Sequence, residues 1–180
     1  MLRIIGRILL VIVVAVGALL IYAATRPDSF HVERSATIKA APDKIFPLLA
    51  DFHKWPSWSP FENLDPAMSR TLSGADSGKG AIYEWSGNSK AGAGRMEITD
   101  ATPPASEIIK LDFTKPFATS NTVTFTLKPD GDSTNVTWAM DGPSPYVAKI
   151  MGIFVSMDAM IGKDFESGLT KLKALAEGGQ

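Results

Sequence analysis

A chain of 180 residues has room for one domain and an appendage, and with 45% hydrophobic residues it can bury a core without staples. Its formal net charge of -1, with Lys and Arg scattered singly, supplies no broad field for nucleic acid, so no nucleic-acid partner is expected. The lack of cysteine excludes disulfides, thiolate metal sites and Cys nucleophiles, and with only His31 and His53 a histidine metal site would need carboxylates to complete it.

The first element is a hydrophobic helix. Ile8 to Ala24 carries no charge, and from Ile4 to Ala24 the one charge is Arg7. As a helix the longer stretch spans roughly 31 Å, against about 30 Å of bilayer hydrocarbon, and Arg7 can snorkel to the headgroups. Arg3, Arg7 and the terminal amine precede the run, while Arg26 follows it with Asp28 nearby. That asymmetry predicts a single pass with the N-terminus inside and the remainder extracytoplasmic. A cleaved signal peptide is the alternative, with small residues at Ala15, Gly17, Ala18, Ala23 and Ala24. The apolar run exceeds the usual signal core of about 7–15 residues, which favours an uncleaved anchor. Residues 1–26 are therefore expected to form the anchor, 27–29 a linker in which Pro27 stops the helix, and 30–180 the domain.

Residues 30–39 alternate, with Phe30, Val32, Ala36 and Ile38 on one face, and predict a strand. Pro42 opens a short helix bearing Ile45, Phe46, Leu48 and Leu49, with Pro47 expected to kink or shorten it. His53–Glu62 (HKWPSWSPFE) is too broken for a long helix and too apolar for an idle loop. Period-two stretches follow at 81–86, 94–100, 108–113, 122–128 and 135–141, with a weaker strand at 68–74. Asp130-Gly131 marks a hairpin between the last two, and the short turns predict an antiparallel meander. From Pro145 to about Ala176, apolar residues at three- and four-residue steps predict one long helix. Gly152, Gly162 and Gly168 within it either allow close approach to the sheet or mark a bend. The fold class is thus α+β, a curved antiparallel sheet of six or seven strands wrapped around a long C-terminal helix, and the gap between them suits an apolar ligand.

Four passages carry a family likeness: ERSATIKAAPDKIFPLLADFHKWPSWSPFE, GAIYEWSGN with GRMEITDATPP, the strand at Ser120–Leu127, and MDAMIGKDFESGLTKLKAL. In these the chain resembles the START-like or SRPBCC superfamily, the birch-pollen-allergen fold that includes the polyketide cyclase/dehydrase group. The resemblance covers about residues 30–176. It implies a helix-grip fold and a hydrophobic cavity, but transfers a ligand class rather than a chemistry.

The expected ligand-binding residues come from three places. Trp55, Trp58 and Phe61 form either a cavity lid or a plug at the end of the core. Tyr83, Trp85, Met96, Leu111, Phe113, Phe125 and Trp138 come from strands, and Met151 and Phe154 from the last helix. Tyr83 and Trp85 are preferred over Ile82 and Glu84 because Glu84 suits a polar exterior. Met151, Met157 and Met160 either adapt to variable ligands or fill core. Asp51–His53 is a weak acid/base candidate on a surface turn. Glu97, Asp100, Glu107 and Asp112 read as solvated charges, and Arg95 as pointing outward. No catalytic constellation, metal site or cofactor is expected. The expected function is a membrane-tethered binding or carrier domain for a lipid or other hydrophobic small molecule. The alternatives are a cyclase or dehydratase acting in the same cavity, which needs a buried ionisable group, and an interaction module with a filled core.

Overall fold

The computed structural model describes residues 2–178. Helix α1 spans Leu2–Ala24, and a four-residue link leads to strand β1 (Ser29–Ile38). Helix α2 (Pro42–Leu49) is followed by two 3-10 turns, Phe52–Ser57 and Pro60–Asn63. Then come β2 (Ser69–Gly74), β3 (Ala81–Ser86), β4 (Ala93–Thr102), β5 (Ser106–Lys115), β6 (Thr119–Asp130) and β7 (Ser133–Pro143). Helices α3 (Tyr146–Met151) and α4 (Met157–Gly178) close the chain.

The seven strands form one antiparallel sheet in the order β1-β7-β6-β5-β4-β3-β2. Six strands follow each other as a meander, and β1 returns to pair along the whole of β7. The β6–β7 hairpin turns on Gly131 and Asp132, with Gly131 at a φ of 61°, where a side chain would be strained. Phe125, Leu127, Val136 and Trp138 fill the inner face, all nearly inaccessible.

Helix α4 lays Phe165, Leu169, Leu172 and Ala176 on that face. The three larger side chains, Phe165, Leu169 and Leu172, contribute about 1.5–3 kcal/mol each by their burial. At Gly168 an added Cβ would crowd the Trp138 ring and Pro60, so the glycine sets how closely the helix approaches. The expected single helix from Pro145 is corrected to two. Helix α3 ends at Gly152, and α4 restarts where the Ser156 hydroxyl accepts the Ala159 N–H at 3.1 Å, a side-chain cap.

Pro47 shortens α2 rather than abolishing it. The carbonyls of Leu49 and Leu48, which lack helical partners, accept the indole N–H groups of Trp55 at 2.7 Å and Trp58 at 2.9 Å. The aromatic, proline-broken passage is thereby pinned across the end of the sheet.

Helix α1 is apolar and long enough to cross a membrane. Its last turns lie beside α3. The Tyr146 hydroxyl donates to the Leu20 carbonyl at 2.8 Å, and Lys149 pairs with Asp28 at 2.6 Å. Asp28 O also accepts the Ser144 N–H at 2.6 Å.

Candidate functional site: a cavity between sheet and helix

A cavity of about 430 Å³ lies between the inner sheet face, the 3-10 turns and the first half of α4. Trp85, Met96, Leu111, Phe113, Val123, Trp138 and Met140 supply its strand wall, Trp55 and Phe61 one end, and Ile161 and Phe165 the helix wall. The exposed part of its lining, Leu64, Lys90 in the β3–β4 hairpin and Met160 near the start of α4, with half-buried Asp164, marks where it opens.

The aromatic wall is held by packing around Trp138. Its ring stacks on Phe165 at 4.1 Å, and Trp58, Phe61 and Phe125 lie 5.1–6.1 Å away. Trp85 stands opposite Gly94 in register, and a Cβ there would strike the indole. The ring therefore lies across β4, packs edge-on against Phe113 at 5.5 Å, and donates its N–H to the Ala91 carbonyl at 3.0 Å.

One polar cluster interrupts this wall. The Glu62 carboxylate is buried, with 6% of its side chain accessible, and lines the cavity. Arg70 Nε donates to its Oε2 at 2.6 Å, while the same guanidinium reaches the carbonyls of Glu62 at 2.9 Å and Met68 at 2.8 Å. The Tyr83 hydroxyl donates to Oε1 at 2.6 Å. Burial and then the Glu62 contact push the Tyr83 phenol above its ordinary range, so it stays a donor. Glu62 also holds the Arg70 guanidinium above its usual value. The cluster offers a ligand a carboxylate with spare lone pairs, set in apolar surroundings.

Of the twelve expected site residues, Trp55, Phe61, Tyr83, Trp85, Met96, Leu111, Phe113 and Trp138 line the cavity. Trp58 and Phe125 are fully buried behind the wall, because their rings are used in holding Trp138. Met151 and Phe154 lie elsewhere, 61% and 72% exposed, because the helix breaks at Gly152 and this stretch turns away from the sheet. Met160 reaches the mouth, and Met157 packs against the core.

Glu62 escapes a reading from sequence because its partners sit eight and twenty-one residues away. Glu107 is a further correction. It is inaccessible, its two carboxylate oxygens have no partner, and desolvation pushes its pKa up to about 8. Its side chain follows Ile109 and Leu111 onto the inner face, where β5 packs on β6. Arg95 points outward and pairs with Glu97 at 2.8 Å. His53 bonds Asp51 at 2.9 Å on the surface, away from the cavity. Among the described residues no three His, Asp or Glu side chains group as metal ligands.

The family model described as polyketide cyclase / dehydrase and lipid transport matches residues 29–177. No curated protein matches the sequence. Among solved structures, the chain is similar to protein CV1439 from Chromobacterium violaceum, at 14% identity and a TM-score of 0.57, covering 84% of this chain and 99% of that one. It is similar to protein MLL2253 from Mesorhizobium loti at 19% identity and a TM-score of 0.59, covering 84% and 99%. The protein DynU16 of the dynemicin biosynthetic locus matches at 16% identity and a TM-score of 0.58, covering 86% of this chain and 49% of that one. At these identities the likeness is one of fold.

Proposed function

Since the chain belongs to the polyketide cyclase / dehydrase and lipid transport family, we propose that it is a membrane-tethered binding or carrier domain for a lipid or other largely apolar small molecule. The observation that carries this reading is the cavity itself. At about 430 Å³ it falls within the range of about 300–1,000 Å³ common for small-molecule sites. Its wall is aromatic and aliphatic, with one polar cluster to orient a headgroup. Burial of ligand at roughly 25 cal/mol per Å² supplies the affinity, and Glu62 favours a ligand whose polar end donates a hydrogen bond.

Helix α1 is read as the tether, with residues 1–26 the anchor, 27–29 the linker and 30–180 the domain. The positive charges at Arg3 and Arg7 favour an extracytoplasmic domain. Tethering raises the effective concentration of the cavity near lipid.

The buried Glu62–Tyr83–Arg70 cluster favours a second reading, a cyclase or dehydratase on an apolar substrate, with Glu62 the group nearest to a general base. The open cavity lends nothing to the filled-core module.

The test is to purify the full chain in detergent, record mass spectra under gentle ionisation, and identify any small molecule released on denaturation. A stoichiometric apolar adduct, lost in Val123→Phe, which fills part of the cavity, is the expected result. A clean mass with no uptake from a lipid extract overturns the carrier reading, and turnover of a bound polyketide-like substrate would install the enzyme in its place.

A further inference from the structure

The stretch between the sheet and α4 leaves an apolar surface uncovered. Tyr146, Val147, Met151, Phe154 and Val155 are each 45–72% exposed, and Met160 on the first turn of α4 continues the patch. From Ile150 to Met157 there is no charge. Lys149 is turned back onto Asp28, leaving 9% of its side chain accessible. Exposed apolar patches of this kind mark an interaction surface.

Its position relative to α1 specifies the partner. The Tyr146 hydroxyl is bonded to the carbonyl of Leu20, four residues before the end of α1. At 1.5 Å per residue that is about 6 Å back along the helix. A helix whose described apolar span is Arg3–Ala24 brings Leu20 to the boundary between acyl chains and headgroups. Tyrosine is enriched at that boundary, and surface-lying helices sink about 5–10 Å into it. Met160, the last of the exposed residues, borders the cavity mouth.

We infer that Tyr146–Met160 lies in the interface of the same bilayer that α1 spans, so that the cavity mouth opens toward acyl chains. This rests on α1 being a membrane anchor. A ligand then passes between bilayer and cavity past Met160 without crossing water, and α3 with its following loop acts as a second, interfacial foothold.

The absence of cysteine allows a direct test in the full chain. Single variants Val13→Cys, Val147→Cys, Phe154→Cys and Lys171→Cys are spin-labelled and reconstituted into phosphatidylcholine–phosphatidylglycerol vesicles. Collision with oxygen is then compared with collision with a water-soluble nickel chelate. Val13 reports the tether, and Lys171, exposed near the far end of α4, reports water. The expected result is an oxygen-to-nickel ratio at 147 and 154 several-fold above that at 171, with 13 deeper still. Labels at 147 and 154 that match 171 while 13 stays deep overturn the inference and leave the anchor standing. A label at 13 that matches 171 overturns the anchor reading and the inference with it. Protection at 147 and 154 from both reagents, growing with protein-to-lipid ratio, assigns the patch to a second protein surface and overturns the inference too.

Discussion

The guanidinium of Arg34 lies directly over Gly162. Arg34, on the inner face of β1, reaches α4, where Nη1 is 2.7 Å from Asp158 Oδ1 and Nε is 2.7 Å from Glu166 Oε1. Those acids stand one turn either side of Gly162, and a Cβ on the glycine would fall inside the guanidinium. In an isolated helix Gly→Ala gains about 1 kcal/mol. Here the atoms in the way are the far end of a flexible side chain, so Gly162→Ala is expected to push the guanidinium off Asp158 and Glu166 and to lose most of that helical gain. Thermal melts of the two proteins check it, and a midpoint raised by the full helical gain counts against the close approach.

Glu107 predicts how stability follows pH. Its carboxyl ionises at about 8 in the folded chain because of burial, but near 4.3 when unfolded. Between those values the folded protein holds one proton more than the unfolded chain. Stability from this group is therefore greatest at low pH and falls as pH rises toward 8, by about 1.4 kcal/mol per unit, then levels off. Denaturant melts from pH 5 to 9 should show this slope, and Glu107→Leu should flatten it while raising stability at pH 8. Equal slopes in both proteins would remove Glu107 from the account.

The Glu62 cluster separates the loss of a hydrogen bond from the loss of a counter-charge. Tyr83→Phe keeps the ring but takes one donor from a buried carboxylate, for an expected cost of about 1.5–3 kcal/mol. Arg70→Met leaves that carboxylate without its cation, at about 3 kcal/mol, the lower end for a buried pair because Arg70 is partly exposed. Urea titrations measure both. Near-neutral results for Arg70→Met would mean that the guanidinium does not hold the Glu62 carboxylate in place.

Trp58 and Trp85 distinguish plug from wall. Trp58→Phe removes the bond to the Leu48 carbonyl and leaves a small void in a fully buried site but keeps a ring behind the wall, so it should cost about 2–3 kcal/mol and leave retained ligand unchanged. Trp85→Ala widens the cavity and should change which ligands are retained. Mass spectra of the released molecules decide, and identical ligand profiles would place Trp85 outside the binding surface.

The sheet is legible in the sequence because period-two alternation and the Asp130-Gly131 turn report local geometry. The same rule carries more than a reading by charge takes from it: with Ile109 and Leu111 inward, Glu107 must also face inward, and only the habit of placing carboxylates in water hides it. Met151 and Phe154 follow helical spacing into the expected core because periodicity runs through Gly152; the competing signal is Ser156, whose hydroxyl restarts the helix. Eight of the twelve expected site residues reach the cavity wall since strand parity and ring size select them. Glu62 joins Arg70 and Tyr83 through tertiary folding, which no local pattern reports.

The link between α1 and β1 is four residues, Thr25 to Asp28, and Asp28 is itself bonded to Ser144 and Lys149. Fully extended, such a leash reaches about 13–14 Å, less than the radius of gyration of about 15 Å expected for a domain of this size. With α1 as the proposed anchor, the domain would not swing across a compartment to a distant surface. Its traffic would be confined to lateral diffusion in two dimensions, and any acceptor on an opposing layer would have to come within one domain's breadth of it.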